Sequence, residues 1–133
     1  MVAPFELDET AFPVIFAAFR GPVDLVPFDA YFSRLDDLCK AGRRFALIVD
    51  MSRGAVPSPS QRKHITSAMA DREAAFGRHC LGAAVVITNP LIRGAMTAIL
   101  WVHPLPYPHE IVETREEAQV ACARWVSRAP ASP

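Results

Sequence analysis

The groups with chemical potential gather on either side of one apolar run. Residues 45–49 are continuously hydrophobic, Asp50 closes the run, and Ser52 follows two positions later. A carboxylate at a strand tip could act as a general base, but that role needs a nucleophile or partner acid beside it, and none is identifiable there. Its alternative role is structural: accepting N–H bonds within the loop. Ser58-Pro59-Ser60-Gln61 comes next, with Arg53, Arg62, Lys63 and His64 around it. A helix N-terminus welcomes a phosphate, which makes Ser58 and Ser60 candidate regulatory serines, although capping alone accounts for Ser58. Cations at that end oppose the helix dipole. Arg53, Arg62, Lys63 and His64 are therefore either a site for an anion or acidic partner, or a solvated basic face.

The remaining candidates do not converge. His103 and His109 flank a proline-rich loop, and His79 precedes Cys80. A metal needs several ligands aimed at one point, and these spacings guarantee no such set. No glycine-rich phosphate loop is present. No catalytic residue set, metal or cofactor is expected.

A second kind of site is written in apolar residues. In the helix over residues 91–102, Leu91, Ile92, Ala95, Met96, Ala98, Ile99, Leu100, Trp101 and Val102 cannot all face one sheet. Such a helix is either deeply buried or covered by something else. Ile92, Met96, Ile99, Leu100 and Trp101, extended by His103 and Tyr107, have the residue types of interface anchors. Self-association or partner docking is one expectation; burial under the loop of residues 104–108 is the other.

These sites need a scaffold, and the composition supplies one. With 133 residues, 51% of them hydrophobic, the chain can bury a core as one domain. The formal net charge of zero argues against nucleic acid as the main partner. Cys39, Cys80 and Cys122 are odd in number and widely spaced, which fits reduced thiols in the cytoplasm better than a disulfide framework. The N-terminus lacks the basic region of a signal peptide, and no apolar run is long enough to cross a membrane.

Apolar runs at residues 14–19, 45–49 and 81–88 have strand length, with shorter strands at 5–7 and 110–113. The first two strands suit an antiparallel hairpin. Phe28, Phe32, Leu35 and Leu38 give a helical face after Pro27, with Gly42 as its stop. Ser58 and Gln61 frame a capping box for a helix carrying Ile65, Ala68, Met69 and Phe76, which Gly77 is expected to end. Asn89-Pro90 opens the apolar helix, and Thr114 with Glu117 opens a last helix burying Ala118, Ala121, Cys122 and Trp125. Alternation of this kind predicts an α/β sandwich with a mostly parallel sheet. The domain spans residues 1–133, with 129–133 a frayed tail.

This order of elements, with Leu47-Ile48-Val49-Asp50-Met51-Ser52 running into a serine-bearing helix start, resembles the STAS domain, and more closely its SpoIIAA-like relatives, across nearly the whole chain. Anti-sigma-factor antagonists of that family carry Asp-x-Ser at the strand tip and then Asp-Ser-Ser/Thr-Gly at the helix start. Asp50-Met51-Ser52 matches the first part. Ser58 stands where the family has Asp, Pro59 where it has the phosphoacceptor serine, Ser60 at the next position, and Gln61 in place of Gly. Proline has no hydroxyl, so the usual phosphoswitch cannot operate there, and Ser60 is the hydroxyl that could substitute. The resemblance implies a SpoIIAA/STAS-like α/β sandwich, with a mostly parallel, mixed sheet of four to five strands flanked by four helices. It also implies a non-enzymatic regulatory module of bacterial type that docks protein partners or itself. The alternative is a carrier or sensor for an apolar or anionic small ligand.

Overall fold

A computed structural model describes residues 4–22 and 24–129. Of the expected frayed tail, residues 130–133 lie outside the described residues. The elements run β1 (Phe5–Asp8), β2 (Val14–Phe19), α1 (Leu25–Lys40), β3 (Phe45–Asp50), α2 (Pro59–Asp71), α3 (Glu73–His79), β4 (Cys80–Val86), α4 (Pro90–Val102), β5 (His109–Val112) and α5 (Arg115–Arg128). The strands lie side by side in chain order. β1 and β2 form the antiparallel hairpin, and the other three pairings are parallel. The fold is thus the mixed, mostly parallel α/β sandwich that the alternation predicts.

Each face of the sheet carries its own core. Ile15, Ala17, Phe45, Leu47, Cys80 and Ala83 meet Phe28, Tyr31, Phe32, Leu35 and Leu38 of α1 and Phe76 of α3 on one side. Phe16, Ala18, Ala46, Ile48, Ala84, Val86 and Val112 meet Ala118, Ala121 and Cys122 of α5 on the other. Successive side chains of a strand point to opposite faces, so β3 must be apolar throughout to feed both layers. Gly82 completes the second layer differently. A Cβ there would overlap the six-membered ring of Trp125, so the bare backbone is the seat of that indole.

The helix ends follow local chemistry. Asp24 caps α1 through Val26 N–H, and Gly42 beyond its C-terminus adopts φ +71°, a conformation that favours glycine. Ser58 and Gln61 form both bonds of the capping box on α2. Thr114 completes only half of its expected box. Its oxygen accepts from Glu117 N–H, but its hydroxyl donates to the Glu117 carboxylate, which is therefore turned to the side chain instead of to the Thr114 N–H.

The expected single helix from Ser58 to Gly77 is two helices, which raises the helix count from four to five. It breaks at Arg72, whose guanidinium forks onto both carboxylate oxygens of Asp36 at 2.9 and 3.0 Å. The same group reaches Ala68 O and lies over the Phe32 ring. Gly77 stops nothing. It lacks the positive φ of a helix-ending glycine and sits inside α3.

Candidate functional site

The strand-tip loop is closed on itself. Asp50 Oδ1 accepts both the Ser52 N–H at 2.9 Å and the Ser52 hydroxyl at 2.6 Å. Met51 N–H donates to Val86 O, tying the start of the loop to β4. Further along, Gly21 N–H donates to Arg53 O and Ala55 N–H to Gly21 O, which zips the loop to the chain leaving β2. The Asp50 carboxylate therefore does the structural job of ordering its own turn. Among the described residues, no histidine or second acid joins it through a hydrogen bond or ion pair.

Ser58 is spent on its cap, accepting Gln61 N–H while its own N–H donates to Gln61 Oε1. Ser60 is exposed, its hydroxyl 3.2 Å from that of Ser58. Arg53, Arg62 and Lys63 are exposed, and no ion pair among the described residues includes them. His64 is drawn off toward α1, where Nε2 lies 2.8 Å from Asp29 Oδ1. The expected basic group is thus three exposed cations and a histidine held by an acid.

The thiols are structural. Burial pushes the Cys80 thiol up to about 12 and the Cys122 thiol up to about 11. Burial raises Cys39 as well. Cys122 donates to Leu47 O at 3.3 Å, pinning α5 to β3. Raising a thiol's pKa disfavours the thiolate, which is the form that attacks electrophiles and binds metals. Among the described residues, no cluster of His, Cys, Asp or Glu has the geometry to hold a metal ion.

Of the seven exposed large hydrophobic side chains among the described residues, four lie on α4. Asn89 caps it, accepting N–H bonds from Leu91 and Ile92. Arg93 ties it to Glu113 just beyond β5 at 2.9 Å. Not one of its residues is buried. Leu91 is 84% exposed, Ile99 46%, Trp101 86% and Val102 73%. Ile92, Met96 and Leu100 are half-buried and form the inner line of the helix, so they do not belong to its free face. Ile99, Trp101 and His103 are exposed. Tyr107 is not part of the surface: it packs against the core under α1, and burial raises its phenol. Leu91 and Val102 were not among the expected anchors, yet they are two of the three most exposed large side chains on the helix. Their position opposite Met96 on a helical wheel is the signal that marks them. A shallow cleft, lined by Thr97, Leu100, Trp101, His109, Glu110 and Ile111, separates α4 from β5.

No family model and no curated protein sequence matches the chain. Solved structures do. An uncharacterised protein of the DUF3478 family with a SpoIIAA-like fold, from Shewanella loihica PV-4, superposes with a TM-score of 0.60 at 10% identity, covering 89% of this chain and 91% of that one. The anti-sigma factor antagonist SpoIIAA in its unphosphorylated form gives 0.59 at 15% identity, covering 90% and 97%. An anti-sigma factor antagonist from Mycobacterium paratuberculosis gives 0.53 at 15% identity, covering 92% and 99%. The chain has the SpoIIAA-like fold.

Proposed function

We propose that this chain is a non-catalytic, STAS-type regulatory module that works by docking, with α4 as its contact surface for a second copy or another protein. The observation that carries the reading is the exposure of Leu91, Ile99, Trp101 and Val102 on a helix with no buried residue. Contiguous exposed apolar area of this kind marks a contact site, and Trp is the residue type most enriched among interface anchors. Two of the similar structures are anti-sigma factor antagonists, proteins that act on other proteins, which supports the regulatory part. Ser60 is the one serine at the start of α2 not used as a cap, so regulation by phosphate would act there, beside Arg62 and Lys63. The closed Asp50 turn and the protonated thiols support the absence of chemistry, and reduced thiols fit a cytoplasmic setting.

A carrier or sensor of a small apolar ligand is the second reading, favoured by the cleft between α4 and β5. Native mass spectrometry of the purified protein separates the two. Docking shows as a dimer or a co-purified chain that Trp101→Ser weakens. A monomer carrying a small bound mass, with no concentration-dependent association, refutes the docking reading.

A further inference from the structure

The sheet ends on β5, and the outer rim of that strand is open. Among the described residues no strand lies beyond it. Pro108 O and Val112 O accept the N–H groups of Ala83 and Ile87 on the β4 side. Backbone groups alternate sides along a strand, so the N–H and C=O of His109 and Ile111 point away from β4. No hydrogen bond from another described residue reaches them there. A cleft lies against this rim. His109 and Ile111 line it together with Glu110, whose side chain turns to the opposite face of the sheet, toward Arg124 of α5. Side chains of both faces can border one cleft only where the sheet stops, so the cleft opens onto the rim. Its far wall is Thr97, Leu100 and Trp101 of α4. At about 270 Å³ it falls below the roughly 300–1,000 Å³ of a pocket for a whole small ligand, and it suits a single side chain.

An open ladder with a side-chain cleft beside it has both parts of strand addition, in which main-chain hydrogen bonds hold an extended segment and a pocket selects among its side chains. Resting on the docking reading above, we propose that α4 and β5 together receive an extended segment of another protein, which joins the sheet as a sixth strand. Its backbone bonds to His109 and Ile111. Its residue beside Ile111 puts an apolar side chain into the cleft, against Leu100 and Trp101. The residues on either side of that one turn to the face of Glu110, the one acidic side chain of β5, where polar or basic groups suit. Proline is excluded wherever the segment's N–H must meet β5. A second β5 fits less well. The antiparallel register that uses both His109 and Ile111 sets Glu110 directly against Glu110 of the copy, and like charges so placed repel. The rim is short, so binding is reversible, with a Kd on the order of 10–100 µM.

A displayed library of random peptides of about twelve residues, selected on the full chain, supplies the probe. Fluorescence anisotropy then measures the binding of an enriched peptide. Methylating its backbone nitrogens one at a time should weaken binding about tenfold or more at alternate positions, where the N–H faces β5, and little at the positions between. Ile111→Pro removes the rim donor at a place where an edge strand tolerates proline, and should weaken the same peptide about tenfold. Ile111→Val keeps the donor and should bind within about threefold of the unsubstituted chain. Circular dichroism checks both folds, and the methylation scan needs neither variant. Equal effects of methylation at every position, or at none, overturn the sixth strand; if Trp101→Ser still weakens that peptide, docking through α4 stands. A selection that enriches no peptide with a Kd below about 1 mM overturns the proposal as well, and native mass spectrometry then decides the docking reading separately. Self-association that shields the Ile111 amide from hydrogen exchange as concentration rises would name a second copy as the occupant and overturn the foreign segment.

Discussion

Gly82→Ala places one methyl group where the Trp125 indole lies. Two effects of opposite sign compete. Gly82 is in β4 without a positive φ, so alanine fits its backbone. Removing glycine's freedom from the unfolded chain should then stabilise by about 0.4–1 kcal/mol. Against this, the ring must leave its seat or the strand must shift. Overpacking costs about 1–3 kcal/mol, and the obstacle is a rigid two-ring side chain, not the tip of a flexible one. The steric effect wins, and the net loss should be about 1–2 kcal/mol. With a urea slope of about 1.5 kcal/mol/M for a domain this size, the midpoint falls by about 1 M. Urea unfolding followed by circular dichroism measures it, and a cycle with Trp125→Leu isolates the cause. In the Leu background, Gly82→Ala should be neutral or mildly stabilising, giving a coupling of about 1 kcal/mol or more. A midpoint that is unchanged or raised with Trp125 present would refute the reasoning, as would the same loss in both backgrounds.

Other outcomes follow from the same geometry. Asn89→Ala should destabilise α4 by about 1 kcal/mol, and hydrogen exchange should report faster opening confined to residues 91–102, because packing does little to hold this helix once its cap is gone. Arg72→Met should cost about 2 kcal/mol in thermal or urea melts, since it frees Asp36 and Ala68 O of a shared partner at a half-buried site. Asp36→Asn should cost less, because the amide keeps one acceptor. Stability should also fall in alkali. The folded state holds the Cys80 and Cys122 protons up to about 12 and about 11, whereas the unfolded chain releases them near 9.0. The unfolded state thus binds fewer protons above that point, and stability declines as pH rises through it toward about 11–12. Thiol labelling at neutral pH should reach half-buried Cys39 before either buried cysteine.

What the sequence made legible was local. The strand at residues 45–49 announced its burial on both faces by being apolar throughout, and Ser58, Asn89 and Gly42 marked helix ends that need only nearby backbone. The break at Arg72 was not legible, because its partner Asp36 lies 36 residues away and no periodicity connects them. Tyr107 looked like part of the α4 surface from its place among prolines. Its burial depends on the core beneath α1, which only the assembled sheet brings near. The exposed face of α4 was half legible. The residue types announced an excess of apolar groups, but which of them turn outward depended on the inward line of Ile92, Met96 and Leu100.

Neither core contains a single residue of α4. Folding thus places almost no demand on what its exposed face spells. On the docking reading, changes at Leu91, Ile99, Trp101 or Val102 can accumulate while the scaffold stays as it is, and each would redraw only the list of molecules the domain recognises. Descendants of one ancestral chain could come to answer to different companions by rewriting those few letters.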